Sequence, residues 1–204
     1  MFLKLEGKRC LVVGAGKIGE SKIRSLLIAR AQVRVIAPSA TPIVSTWAHA
    51  GVLDWEARPF HADDLNSIFL VVGATSSIEI NDAVYREAQA RNILCNIVDD
   101  PERCDFYYPS VVRRGDLQVA ISTAGHSPAL AQRLRREFEA QLAPVYAGWL
   151  EELGRTRKEL FARPIEPERR RTLLHSAASR HSFDARQSAR ERRERHSVEV
   201  AHER

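Results

Sequence analysis

Three groups of residues in this chain have types and spacing that could do chemistry. The first is Leu11 to Lys22, L-V-V-G-A-G-K-I-G-E-S-K, where Gly14, Gly16 and Gly19 form G-x-G-x-x-G. Such glycines serve a tight turn, a close approach of backbone to a pyrophosphate, and the packing of a helix on a strand. A helix beginning near Lys17 would aim free N–H groups and a positive dipole end at phosphate. The apolar run Arg9 to Val13 before the glycines, and the helical spacing of Ile18, Ile23, Leu26 and Leu27 after them, supply the setting the motif requires. The expectation is a dinucleotide site rather than a purely structural glycine turn.

The second group is N-I-V-D-D-P, Asn96 to Pro101, with adjacent carboxylates where an apolar strand ends. Asp99 could act as a general base, taking a proton from a substrate while hydride leaves for a nicotinamide. The same residues equally suit a turn cap before Pro101, and the residues alone leave both readings open. The third group is Ser122 to Pro128, S-T-A-G-H-S-P. Ser127 reads as a helix cap with Pro128 at the first helical position, while Ser122, Thr123 and His126 could line a pocket for an anionic ligand. His126 lacks partners at ligand spacing, so no metal site is expected.

The elements that must position these groups follow from hydrophobic patterning. Strands are expected at Val33–Ala37, Val52–Glu56, Phe69–Ala74 and Ile93–Val98 after the first, with helices after the glycines, through Ile43–Ala50 and from about Ile78 to Arg91. Alternating strands and helices predict an α/β fold, a Rossmann-like doubly wound parallel sheet. In such sheets ligands bind beyond the carboxyl ends of the strands. That rule selects Gly14 to Ile18, Pro38 with Ser39, Gly73 to Thr75, and Asn96 to Asp100. At the end of the second strand, Ile36-Ala37-Pro38-Ser39 offers neither an acid for a ribose nor an arginine for an extra phosphate. Local chemistry therefore does not choose between NAD and NADP.

Tyr108–Arg113 and Leu117–Ser122, around Arg114-Gly115-Asp116, read as an antiparallel hairpin, and a helix follows from Ser127. Further helices are expected from about Pro144 to Ala178. Beyond Ser179 apolar residues nearly vanish, so the end is expected as a frayed helix or flexible polar tail.

Composition narrows the class. Hydrophobic content of 44% with 28% charged residues fits a globular protein, and no apolar run approaches the roughly 20 residues of a membrane span. The start M-F-L-K-L-E-G-K lacks the features of a signal peptide, so a cytoplasmic location without membrane association is expected. Cys10, Cys95 and Cys104 lack C-x-x-C spacing and argue against a disulfide framework or zinc knuckle. Cys10 and Cys95 read as core residues, and Cys104 as a loop thiol beside the candidate site. From Arg155 onward there are 14 Lys and Arg against 8 Asp and Glu, while residues 1–154 carry 17 against 18. The basic excess thus sits in the last quarter, where no nucleic-acid recognition motif accompanies it and no nucleic-acid partner is expected.

In this order the motifs resemble the precorrin-2 dehydrogenase family, the dehydrogenase module of siroheme synthase. The resemblance rests on V-V-G-A-G-K-I-G-E-S-K-I at 12–23, V-I-A-P at 35–38, Ala74-Thr75 before a helix bearing Asn81, C-N-I-V-D-D-P at 95–101, F-Y-Y-P-S at 106–110, and I-S-T-A-G-H-S-P-A-L-A at 121–131. It implies NAD-dependent oxidation of precorrin-2 to sirohydrochlorin by a homodimer. Carried over by position, Lys17, Ile18, Pro38 and Ser39 would contact NAD and Asp99 would be the catalytic acid or base, while Gly14, Gly16, Gly19 and Thr75 are cofactor-binding candidates from the glycine motif and the strand ends. Asn96, Ser122, Thr123 and His126 would face substrate. Some family members also insert ferrous iron into sirohydrochlorin with the same carboxylate.

The implied organisation is a Rossmann domain over 1–112, a dimerisation segment over 113–147, a helical extension over 148–178 and a tail over 179–204. One departure is Ala29-Arg30-Ala31, where the family usually places a helix-ending glycine. The alternative of another class is a Rossmann module that senses NAD without catalysis, which would need the glycines but no base at Asp99.

Overall fold

The computed structural model describes residues 2–202. The chain divides into two units, Met1–Tyr108 and Pro109–Arg204. The division falls at Pro109, ahead of the boundary expected after residue 112, because the strand that begins at Ser110 pairs only with its hairpin partner.

The first unit is built from β1 (Arg9–Ala15), α1 (Lys17–Ile28), β2 (Gln32–Ala40), α2 (Pro42–His49), β3 (Asp54–Glu56), β4 (Leu70–Gly73), α3 (Ile78–Ala90) and β5 (Leu94–Ile97). Its strands form one parallel sheet in the order β3-β2-β1-β4-β5. Chain order reverses between β1 and β4, whose register sets Val13 beside Gly73. The loops leaving these two neighbours therefore flank the point where a doubly wound sheet opens.

Alternate residues of β1 feed opposite cores. Cys10 and Val12 pack with Ile23 and Leu26 of α1 and Val44 of α2, whereas Leu11 and Val13 pack with Val84 and Ala88 of α3. Both faces are covered, which is why the strand reads as a continuous apolar run.

Short 3-10 turns at Ala62–Leu65 and Pro101–Arg103, which the patterning did not indicate, complete the connections. The first presents Asp64, whose side chain is only 5% exposed, to Arg34 (3.0 Å) and Arg58 (2.5 Å). The His61 N–H donates to the same carboxylate at 2.9 Å. Burial alone would push Asp64 up, but the Arg58 hydrogen bonds, the His61 N–H and the charges of Arg58 and Arg34 hold it below the ordinary carboxylate value.

The end of α1 shows how the absent glycine is replaced. Arg30 takes φ +58 and the Ala31 N–H bonds back to Leu26 O at 3.1 Å, so the helix ends through a left-handed arginine.

The second unit opens with the hairpin β6 (Ser110–Arg114) and β7 (Leu117–Ile121), joined by Gly115-Asp116 with Gly115 at φ +58. Then come α4 (Pro128–Gln141), α5 (Tyr146–Ala162), α6 (Pro167–Ala177) and α7 (Arg180–His202). Ser127 caps α4 by accepting the Leu130 N–H at 3.3 Å. Arg114 bonds the carbonyls of Leu142 (2.7 Å) and Glu139 (2.6 Å), tying the hairpin to the end of α4.

Of the segment expected as a frayed helix or flexible polar tail, residues 180–202 are helical, and residues 203 and 204 lie outside the described residues. Its anchor is Phe183, 7% exposed, with its ring 4.6 Å from Tyr146 and 4.8 Å from Trp149. One aromatic residue in a polar sequence carries no periodicity, so patterning could not reveal it. Among the described residues no helix is long and apolar enough to cross a membrane.

Candidate functional site

A groove of about 720 Å³ lies in the first unit beyond the C-terminal ends of β1, β2, β4 and β5. It is lined by Gly14, Gly16, Lys17 and Ile18 after β1, by Pro38 and Ser39 at the end of β2, by Thr75 after β4 and by Asp99 after β5.

The glycines differ in what demands them. Gly14 has φ +101, and a Cβ there would lie 2.4 Å from the Ala74 carbonyl oxygen, so the turn out of β1 nests against the loop leaving β4. A Cβ on Gly19 would lie 2.2 Å from the Gly14 carbonyl oxygen, so the first turn of α1 rests directly on that loop. A Cβ on Gly16 would meet nothing within 4 Å. Its absence therefore serves the open space of the groove and not internal packing.

Gly16 is also the N-cap of α1 and supplies no side-chain acceptor to the helix. The N–H groups of the first turn are left without a capping side chain at the groove's edge. Open space over Gly16, uncapped N–H groups and the dipole of α1 together fit a pyrophosphate. The exposed Ile18 side chain, 51% accessible, offers an apolar surface beside it, and Pro59 and Phe60 add another wall.

Thr75 is held from α3. The Asn81 Nδ2 donates to the Thr75 carbonyl at 3.1 Å, and Thr75 Oγ1 lies 2.9 Å from Asn81 Oδ1. Asn81 thus fixes the β4 loop against the groove, and Ser77 caps α3 by accepting the Ile80 N–H at 3.2 Å.

Asp99 is exposed and takes φ +62, a left-handed conformation that costs about 1–3 kcal/mol for most non-glycine residues and is better tolerated by Asp and Asn. The turn is closed by the main chain, with the Asp100 N–H donating to Ile97 O at 3.2 Å. Asp100 precedes the 3-10 turn at Pro101 without a side-chain cap. The Asp99 carboxylate makes no hydrogen bond among the described residues, so the turn does not consume it.

Lys22, one turn along α1 from Ile18, is half-buried with its Nζ 4.1 Å from the Tyr108 ring centroid. Burial lowers its pKa, against opposing pulls from the charges of Asp99 and Cys104. Patterning placed Lys22 inside the glycine motif without assigning it a role; its spacing of four from Ile18 was the available signal.

Asn96, expected to face substrate, has its side chain engaged within the fold. It is 6% exposed, and its Nδ2 donates to Phe106 O at 2.8 Å and to Cys104 Sγ at 3.2 Å, pinning the strand to the following loop. The Cys104 thiol lies 3.1 Å from Asp100 O and 3.2 Å from Ile97 O, and burial raises its pKa, so it is held as a thiol. Cys10 and Cys95 are fully buried, and burial pushes them up to about 11 and about 12.

Ser122, Thr123 and His126 belong to the second unit and stand between β7 and α4. Ser122 Oγ accepts the Ala124 N–H at 3.2 Å, and Thr123 Oγ1 accepts the Ser127 N–H at 3.1 Å, so both hydroxyls shape their own loop. His126 is exposed there, and its N–H donates to Thr123 O at 2.9 Å.

Comparison with known proteins gives matches of three kinds. Residues 1–110 match the family described as "Putative NAD(P)-binding", and residues 114–141 match the one described as "Sirohaem biosynthesis protein central". Siroheme synthase 1 of Aeromonas hydrophila subsp. hydrophila is 40% identical over 172 residues, covering 84% of this chain and 37% of that protein. Siroheme synthase 2 of Serratia proteamaculans is 43% identical over 154 residues, covering 76% of this chain and 33% of that protein. The chain thus spans about a third of the length of the curated relatives it matches. Among solved structures, "SirC, precorrin-2 dehydrogenase" superposes with a TM-score of 0.75 at 26% identity, covering 88% of this chain and 89% of that one.

Proposed function

The chain belongs to the NAD(P)-binding family whose model spans residues 1–110, and from that premise we propose that it is an NAD-dependent dehydrogenase converting precorrin-2 to sirohydrochlorin. The observation that carries this reading is the Asp99 carboxylate, unspent in a left-handed turn, on the same groove as the glycine loop. Similarity to siroheme synthases and to a precorrin-2 dehydrogenase supplies the substrate class. A module that only senses NAD needs no free carboxylate at that position.

Bound in the groove, NAD supplies a hydride acceptor. The N–H groups of Lys17 and Ile18 at the start of α1 would hold its pyrophosphate, and the bare backbone of Gly16 would let it approach. Pro38 and Ser39 line the groove where the ribose end would lie, and there the Ser39 hydroxyl would be available to it in place of an acid. Thr75, fixed by Asn81, and Ile18 border the remaining groove.

Oxidation of precorrin-2 removes one hydrogen as hydride and one as a proton. Asp99 accepts the proton at a carboxylate oxygen. Lys22 lies close enough to feel the Asp99 charge, which places a cation beside the proposed base. The same reading takes the active form as a homodimer acting in the cytoplasm, following the family resemblance.

The test is to incubate the purified chain with enzymatically generated precorrin-2 and either NAD or NADP, and to follow the absorption change to sirohydrochlorin. Turnover with NAD is expected. Absence of turnover with both nucleotides would overturn the reading.

A further inference from the structure

The second unit holds a groove of about 580 Å³ between α5 and α6 whose charged lining is entirely basic. Arg157 contributes from α5, and Arg170, Arg171 and His175 from α6, around Phe161. The Phe161 ring is 53% exposed, and the guanidinium carbons of Arg157 and Arg170 lie 4.7 and 4.3 Å from its centroid. Two cations are thereby held against one ring, with their mutual repulsion left to be balanced.

A solvated charged surface is the plain alternative, and some surface arginines of this chain show one form of it. Arg24, Arg86, Arg133 and Arg180 each pair with a carboxylate one helical turn away. Among the described residues no salt bridge joins Arg157, Arg170 or Arg171 to a carboxylate. One turn from Arg157 stand Leu153 and Phe161; Glu168 stands one turn before Arg171, but no salt bridge joins them among the described residues. Glu166 feels the charge of Arg170, but its carboxylate already accepts the Arg169 N–H at 2.9 Å as the cap of α6.

Guanidinium groups stacked on an aromatic ring keep their planar edges free for bidentate bonding to carboxylates, and lose little further freedom on binding. We infer that this groove binds the carboxylate side chains of an acidic tetrapyrrole, an assignment that rests on the function proposed above. Charge complementarity selects that occupant: a macrocycle rimmed with carboxylates presents spaced anions and apolar ring edge together. The groove offers arginine forks at its sides and the face of Phe161 between them.

The test uses the full chain and uroporphyrin, a stable porphyrin with carboxylate side chains around its rim, titrated by fluorescence. The Arg170→Gln/Arg171→Gln double variant should bind about tenfold more weakly, while Lys158→Gln, outside the groove, should stay within about twofold. Arg157→Lys, which keeps the charge but loses the fork, should weaken binding by an intermediate factor. Citrate should displace uroporphyrin at lower concentration than pyrophosphate does. Circular dichroism checks that each variant is folded.

Unchanged affinity in a folded double variant, absence of uroporphyrin binding by the parent chain, or preferential displacement by pyrophosphate would each overturn the assignment. Precorrin-2 turnover is read separately. If the parent chain binds uroporphyrin through these arginines yet fails to oxidise precorrin-2, the proposed function falls and the groove stands. If it turns over precorrin-2 while the double variant binds uroporphyrin normally, only the groove falls.

Discussion

The loop between β1 and α1 can be divided experimentally into a part that the fold needs and a part that the ligand needs. Substituting Gly19 by Ala would set a methyl carbon 2.2 Å from the Gly14 carbonyl oxygen and 3.0 Å from its carbon. That is roughly 1 Å inside a tolerable approach, and both atoms are backbone, so α1 must move off the β1 turn. Overpacking of this kind costs about 1–3 kcal/mol, and the better helix propensity of Ala returns less than about 1 kcal/mol at a first-turn position. A net loss near 2 kcal/mol in a unit spanning Met1–Tyr108 lowers Tm by roughly 10 °C.

Gly16→Ala meets no atom within 4 Å and keeps a φ of −72, so it should lose no more than about 0.5–1 kcal/mol, the amount by which Ala is the poorer N-cap, well short of the loss in Gly19→Ala. Its methyl instead occupies the space a pyrophosphate must enter, and NAD should bind about tenfold more weakly, about 1.4 kcal/mol. Scanning calorimetry and isothermal titration with NAD read the two effects independently. A Gly19→Ala protein that melts with the parent, or a Gly16→Ala protein that binds NAD normally, would refute the division.

Replacing Arg30, at φ +58, by Gly should stabilise the first unit by about 1 kcal/mol, read as a rise in urea midpoint. The Glu6 ion pair that is lost, 3.5 Å long and exposed, contributes little against this. Asp64 has a folded-state pKa below its unfolded value, so its contribution is present above about pH 4 and is lost as pH falls through the lower, folded pKa. Asp64→Asn should therefore be less stable than the parent at pH 7 and show a flatter loss of stability below about pH 4 in acid titrations followed by circular dichroism. Phe183→Ala should cost about 3 kcal/mol in the second unit through the lost stack on Tyr146 and Trp149, seen as reduced helical ellipticity on mild heating.

The sequence made the architecture of the first unit legible because each apolar strand run is buried on two faces and each helix carries its own stripe. The glycine roles were legible for the same reason: a backbone that must touch backbone admits no side chain. What patterning missed depends on contacts made by single residues across the fold. Asn96 sits in an apolar strand and reads equally well as a pocket residue or as the buried clasp of a loop; only its bonds to Phe106 and Cys104 decide. Arg30 replaces a glycine at a helix end because the chain must turn there regardless of propensity. Phe183 turns the start of an expected tail into a packed helix through its rings' neighbours in α5. Lys22 comes within reach of the Asp99 charge and Asn81 holds Thr75, both from helices, through spacing that a linear motif does not display.

The central claim is that the glycine loop holds the oxidant while Asp99 moves the proton, and it is tested most directly in an Asp99→Asn protein. Asn tolerates the left-handed turn, so the φ of +62 can be kept while the base is removed. The measurement is sirohydrochlorin formation from precorrin-2 and NAD, with NAD affinity taken on the same sample. The account expects the rate to fall by a factor of about 10² to 10⁴ with NAD affinity unchanged. Full activity in Asp99→Asn would contradict it.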